Sequence, residues 1–316
     1  MKNKMMIIIV IISLSIMTAG EFSGYSIFNY DNETFSVDRA YLQYTDDLSD
    51  DLFFKLRYDV GRDDNGVDAN PDDTKLSSYL KNVYVDWKNG DNSKFSLGLI
   101  SMNSFGVQEK NWGYRFVAKS PVDYHGFISS TADFGIGYSH SFGEFNANVQ
   151  IVNGDGYKKN DSDGKMLTSL RFMYGESKLN KNDGYNVGIV MTSFDGESDT
   201  DTDDYSLTGL FGGWSSNGLR LGLEYNSYES WYGNAADELL TDKLTSFYLN
   251  YKMSDALNVF ARHDMLANHD DDSNSINETI SILGAVWNLT NGLYVSPNVT
   301  IEDDSNDYRL TFMFKY

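Results

Sequence analysis

"DYRLTFMFKY", residues 307–316, alternates without a break: Tyr308, Leu310, Phe312, Phe314 and Tyr316 share one face, and Arg309, Thr311, Met313 and Lys315 the other. A period of two is the mark of a strand with one apolar and one wet face. The pattern recurs in "DLFFKLRYDVG" (51–61), where Leu52, Phe54, Leu56, Tyr58 and Val60 oppose Phe53, Lys55, Arg57 and Asp59. It recurs again in "ADFGIGYSHSFG", "GYNVGIVMTSF", "NGLRLGLEY" and "GLYVSPNVTI", with Arg, Glu, Asn, Ser and Gly on the faces opposite the apolar residues. Beyond the first 20 residues no helical period competes with this alternation.

Composition agrees with a chain made of strands. The 316 residues include 22 Tyr, 19 Phe and 27 Gly against 3 Pro, a balance that favours strands and tight turns. Mean hydropathy is only −0.42, yet a wall that alternates lipid-facing and water-facing residues averages to a polar value. With no cysteine, neither a disulfide framework nor a lipidated cysteine is expected. A net charge of −21 argues against a nucleic-acid partner. At the start, Lys2 and Lys4 precede the apolar run "MMIIIVIISLSIM" and the small residues "TAG". This reads as a signal peptide over residues 1–20, the run being shorter than the roughly 20 residues a spanning helix needs.

The spacing of the strands sharpens the fold class. Strands are expected near 21–29, 34–45, 51–61, 78–88, 93–101, 131–142, 145–152, 165–175, 184–194, 204–214, 218–228, 243–253, 256–266, 277–288, 292–302 and 307–316. Most are about the length that crosses a bilayer on a tilt. Their connections alternate short and long: "NGDNS", "GE", "SSN", "SD" and "LTN" against "RDDNGVDANPDDTKLSS", "NGDGYKKNDSDG", "DGESDTDTDD", "YESWYGNAADELLTD" and "ANHDDDSNSI". A sandwich has no reason to gather its long loops at one end, whereas an outer-membrane barrel has short periplasmic turns and long extracellular loops. The expectation is an all-β transmembrane antiparallel barrel of about 16 strands over residues 21–316, in the outer membrane of a Gram-negative-type bacterium. The last strand, with Phe312, Phe314 and Tyr316 toward lipid, closes it against the first because an open edge in lipid leaves backbone groups unpaired. That aromatic ending resembles the C-terminal recognition signal of bacterial outer-membrane barrels. Strands begin right after residue 20, which leaves no room there for a plug domain, and a barrel this wide encloses water.

"FSVDRAYLQYTDDLSDDLFFKLRYDVG" (35–61), "YLKNVYVDW" (79–87) and "WGYRFVAKSPVDYHGFISSTADFGIGY" (112–138) together resemble the phosphate-selective porin O/P-like family. The likeness covers roughly the first half and the final strand, with Arg39 to Tyr41 and Ala132 to Gly135 among the residues that carry it. It implies a 16-stranded homotrimer passing small hydrophilic solutes or inorganic anions by lumenal basic residues. In porins the third extracellular loop folds inward and sets the bore, and the connection near 102–131 is the third on that side; the alternative for it is a surface lid or an interface loop. That stretch is the least acidic loop, with Lys110, Arg115 and Lys119 against Glu109 and Asp123. Arg115 and Lys119 are expected at the constriction with Lys110, while Trp112, Tyr114 and Phe116 pack the loop on the wall.

Alternation places Arg39, Lys55, Arg57, Asp59, Arg171, Arg220, Arg262 and Arg309 on the lumen face, with Asp86, Glu224 and Asp264. A basic ring favours anions, but paired signs on a wet wall also serve as structural salt bridges. No cofactor is implied. The acidic loops lack the D-x-[DN]-x-[DN]-G order of a calcium loop, so no metal is assigned. Of the four histidines, His125, His140, His263 and His269, none has metal-site spacing. Ser139 and His140 point to opposite faces of one strand, and no G-x-S-x-G elbow occurs, so no enzyme is expected. The alternative to a channel is a surface-exposed structural or adhesive barrel with a closed bore.

Overall fold

The computed structural model describes residues 20–62, 76–128, 130–158, 164–195, 204–231, 239–269, 275–303 and 305–316. The expected signal peptide and the most acidic loop segments lie outside them. Sixteen strands follow in order: β1 (Glu21–Asp31), β2 (Thr34–Ser49), β3 (Leu52–Arg62), β4 (Leu76–Lys88), β5 (Ser93–Ser101), β6 (Ala132–Phe142), β7 (Phe145–Val152), β8 (Leu167–Gly175), β9 (Gly184–Phe194), β10 (Tyr205–Ser216), β11 (Leu219–Trp231), β12 (Leu239–Lys252), β13 (Leu257–His269), β14 (Ser275–Thr290), β15 (Leu293–Ile301) and β16 (Asn306–Lys315). Each pairs antiparallel with its neighbours in sequence, and β1 pairs with β16, so the sheet is a closed barrel. The strand positions match those expected from alternation.

Closure is built by the last residues. The backbones of Gly24 and Tyr316 exchange hydrogen bonds, Gly24 N to Tyr316 O at 2.8 Å and the reverse at 3.1 Å. The Tyr316 ring folds across β1 and its hydroxyl donates to the Tyr41 carbonyl. A Cβ on residue 24 would overlap both that ring and the Tyr41 carbonyl, so glycine there is what lets the terminal tyrosine lie down. Alongside, Phe28 and Phe314 meet edge-on at 5.8 Å between centroids.

The outer surface is apolar in the way lipid requires. Leu42, Leu97, Ile136, Phe172, Val187, Leu210, Leu223, Phe247, Leu249 and Leu283 all face outward and are exposed. Around the short-turn rim the aromatics touch in series: Trp87 on Phe95, Phe95 on Tyr138, His140 on Phe142, Phe145 on Tyr174, and Tyr174 on Tyr185. Such a girdle marks a membrane–water interface, where an amphipathic ring has one dry and one wet edge.

The inner surface divides into two unlike halves. From β1 to β4 it carries Tyr25, Arg39, Tyr41, Lys55, Arg57, Tyr79 and Asp86. From β7 to β14 it carries, besides polar residues, Val152, Leu167, Val190, Phe194, Phe211, Leu244, Phe260 and Ile282, all buried. These inward hydrophobics break the simple rule of a polar lumen face. They belong to buried clusters completed by Met102, Phe105, Val107, Trp112, Val117, Val122 and Phe127 of the β5–β6 connection. The core of this protein therefore sits inside the barrel, between that connection and one half of the wall.

Closure predicts an asymmetry between adjacent residues of β16. Phe314→Asp puts a charge on the lipid face, at a cost that depends on depth and stays below the roughly 2–4 kcal/mol of a basic residue at the bilayer midplane. Lys315→Gln changes a side chain on the wet face. The first is expected to reduce the yield of heat-modifiable folded barrel on gel electrophoresis, the second to leave it unchanged. Equal yields would contradict the assignment of faces.

Candidate functional site: an occluded lumen with a basic passage

The β5–β6 connection starts and ends at one point, since Met102 N donates to Thr131 O at 3.1 Å. Between them the chain forms two short helices, α1 (Gln108–Trp112) and α2 (Pro121–Tyr124), and runs along the inner wall strand by strand. The Asn103 backbone N–H donates to Gln150 on β7, and its amide oxygen accepts from Ser169 on β8. Ser104 lies 3.3 Å from the Thr192 hydroxyl on β9. The Asn111 and Asn186 amides donate to each other's oxygens, both at 2.8 Å. Both asparagines are buried, and the reciprocal pair is how two amides satisfy each other where water is absent.

Farther on, the Trp112 carbonyl accepts from Arg220 of β11 and Asn250 of β12, each at 3.0 Å. Arg262 of β13 donates to the Lys119 carbonyl at 2.5 Å and grips Asp264 through two of its guanidinium nitrogens. His125 Nε2 lies 3.0 Å from Asp264 Oδ2. Trp112 is fully buried with its edge against Tyr248 and Phe260. Gly113 ends α1 at φ +81°, and any Cβ there would strike the Arg220 guanidinium. Glycine is needed both for the left-handed turn and for that close approach.

The segment therefore covers the β7–β13 half of the wall and leaves space beside β1–β5. Facing that space, Arg115 pairs with Glu109 at 3.1 Å and Asp123 at 3.3 Å, and Lys119 with Asp123 at 3.7 Å. Lys110 projects toward the β5–β8 wall, in a cavity it shares with Arg171 and Lys94. Burial, followed by the neighbouring Arg171 and Lys178 charges, pulls the Lys110 ammonium below the usual lysine range. On the opposite wall, Lys55 lies over the Tyr84 ring, Arg39 and Arg57 over Tyr41, and Lys81 over Tyr157 with 3.6 Å to the centroid. Cations held against ring faces are attracted electrostatically without being neutralised.

The residues singled out on the lumen face thus fall into separate groups. Arg220 and Arg262 hold the connection in place. Arg39 pairs with Asp59 at 3.4 Å, and Arg309 bridges Asp31 and Asp307. Arg171 donates to Asn146. Lys55, Arg57, Lys110 and Arg115 come together around one cavity, while Trp112 and Lys119 lie outside its lining.

Lys81 joins that cavity although alternation counted back from Asp86 points it to lipid. A β-bulge is responsible. Arg57 pairs with Asn82 but Tyr58 with Leu80, so Lys81 is the extra residue and both it and Asn82 turn inward. The loop-holding Asn111, Asn186 and Asn250 had no sequence signal beyond being polar.

No protein-family model and no curated protein matches the sequence. Solved structures do resemble the fold. A loop L8 deletion mutant of OmpT, an outer membrane protein of Vibrio cholerae, superposes with a TM-score of 0.68 at 15% identity, over 94% of this chain and 99% of that one. The trimer form of in-vitro folded OmpT from the same organism gives 0.65 at 13%, over 94% and 100%. The anion-selective porin from Comamonas acidovorans gives 0.64 at 12%, over 94% and 99%. Closed antiparallel pairing, the outer apolar belt and these superpositions agree that the chain is a 16-stranded β-barrel of the outer-membrane type.

Proposed function

We propose that this barrel is an outer-membrane porin, a water-filled channel for passive diffusion of small hydrophilic solutes or ions, with a preference for anions. The observation that carries the reading is the basic half-wall left open beside the β5–β6 connection. Lys55, Arg57, Lys81, Lys110 and Arg115 face one passage there, with Glu109 the only carboxylate among its lining residues. A pore lined by an excess of fixed positive charge lowers the barrier for anions and raises it for cations. The connection acts as the constriction, with Lys110 and Arg115 at its open edge and Lys119 beyond, while Trp112 anchors it. The resemblance to phosphate-selective porin O/P-like proteins, and to a solved anion-selective porin, supports anion passage. A homotrimer fits the trimeric form recorded for one structural neighbour. No catalytic role belongs to this reading.

Planar-bilayer recording tests it. Deleting residues 106–125 is expected to raise single-channel conductance, because the segment lies inside the lumen against the β7–β13 wall. Replacing Lys110 and Arg115 by Gln should move the reversal potential in a salt gradient toward the cation side. The shift should grow at low salt, where the Debye length lengthens from about 10 Å at 0.1 M to about 30 Å at 0.01 M. An unchanged conductance after the deletion would contradict the constriction, and a barrel that forms no channels at all would favour the closed-bore adhesive reading.

A further inference from the structure

A cavity of about 280 Å³ lies between the inner faces of β1–β5 and the root of the β5–β6 connection, lined by Lys55, Arg57, Lys81 and Lys110 with Tyr25 and Tyr41. The ion pairs nearby go elsewhere: Asp59 to Arg39, Asp86 to Lys94, and Glu109 and Asp123 to Arg115. Among the described residues no carboxylate lies within ion-pair distance of Lys55, Arg57, Lys81 or Lys110. Lys81 is only 5% exposed, and its ammonium meets a hydroxyl, Thr131 Oγ1 at 2.5 Å, and the Tyr157 ring. Charge taken from water without a counter-charge is costly, and proteins place it where an opposite charge completes the site. Four such cations converging on one hollow leave a gap shaped for an anion.

We infer that this cavity is a saturable binding site for a small organic polyanion, a di- or tricarboxylate. The inference rests on the porin reading in one respect, that the solute reaches the site through the lumen. Charge count sets the class, because four unpaired cations call for more than one negative group. The cavity's lining favours carboxylates on a carbon skeleton over phosphate. Arg57 already gives Nε and Nη2 to Gln43 Oε1, at 3.0 and 2.5 Å, which leaves its Nη1 side to the anion. The remaining cations are three lysines, separate point charges that suit carboxylates spread along a carbon skeleton. Met102 and Phe105 give that skeleton an apolar wall. The volume falls just below the roughly 300–1,000 Å³ of sites for drug-sized ligands, which limits the occupant to a compact molecule.

The test is calorimetric titration of citrate, inorganic phosphate and acetate into the detergent-solubilised barrel. Citrate is expected to bind with one site per chain, at least about tenfold tighter than phosphate or acetate. The Lys55→Met, Lys81→Met double variant and, separately, the loop variant Lys110→Gln should each weaken citrate by several-fold or more. Lys252→Gln, at the β12–β13 turn, should not. Heat-modifiable migration of each variant shows that its barrel is closed. Citrate binding no tighter than phosphate, or binding indifferent to both cavity variants, would overturn the inference even if the channel conducts. Citrate binding by a barrel that conducts nothing would leave the site standing and remove the porin reading instead.

Discussion

The Trp112 carbonyl, held from two wall strands by Arg220 and Asn250, is the contact from which the rest of the lumen takes its shape. A barrel in lipid must present apolar side chains outward and close every backbone hydrogen bond. Both demands are met by the sheet and leave only the inner surface free to vary. Here that surface is spent unevenly. Seven strands, β7 to β13, offer hydrophobics, amides and two arginines to a single inward segment, which answers with Trp112, Asn111 and a series of backbone carbonyls. Without that segment the inward Val190, Phe211, Leu244 and Phe260 would face water. Without the hydrophobic half-wall, the segment would have no surface to bury Trp112 against.

The same arrangement decides the electrostatics. A basic residue on the lumen face is free to act on a solute only if nothing else has claimed it. Arg262 is claimed by Asp264 and by the Lys119 carbonyl, Arg220 by Trp112, Arg39 by Asp59, and Arg309 by two aspartates. Among the described residues, Lys55, Arg57, Lys81 and Lys110, beside β3, β4 and α1, pair with no carboxylate. The anion preference proposed above would therefore belong to one side of the passage and not to the lumen as a whole. Asp59 sits deep in this wall as the partner of Arg39 and Tyr79.

Strand number, strand position and the outward face were legible because lipid enforces a period of two along every strand, and aromatic residues at the turns mark the rims. The uses of the inner residues were not. Alternation says that Arg220 and Arg57 both point inward, but it cannot say that one will meet a loop carbonyl and the other an open cavity. A hint was present in β9, β10, β12 and β13, where Val190, Leu207, Leu244 and Leu266 put hydrophobics on the face that should be wet. An apolar stripe on a lumen face needs a cover, and the long connection after β5 is the segment that lies over it. Lys81 was hidden for a different reason: a single bulged residue flips the parity of everything before it, and no local pattern in "YLKNVYVDW" announces where the extra residue falls.

The β5–β6 connection lies against the β9 side of the lumen and leaves the β2–β3 side open. Because the chain contains no cysteine, paired cysteines report on this without interference. The direct measurement is oxidative cross-linking of Asn111→Cys with Asn186→Cys in the folded barrel, compared with Asn111→Cys with Tyr41→Cys. Efficient cross-linking of the first pair is expected, and none of the second. Cross-linking of Asn111→Cys to Tyr41→Cys in preference to Asn186→Cys would place the segment on the opposite wall and contradict it.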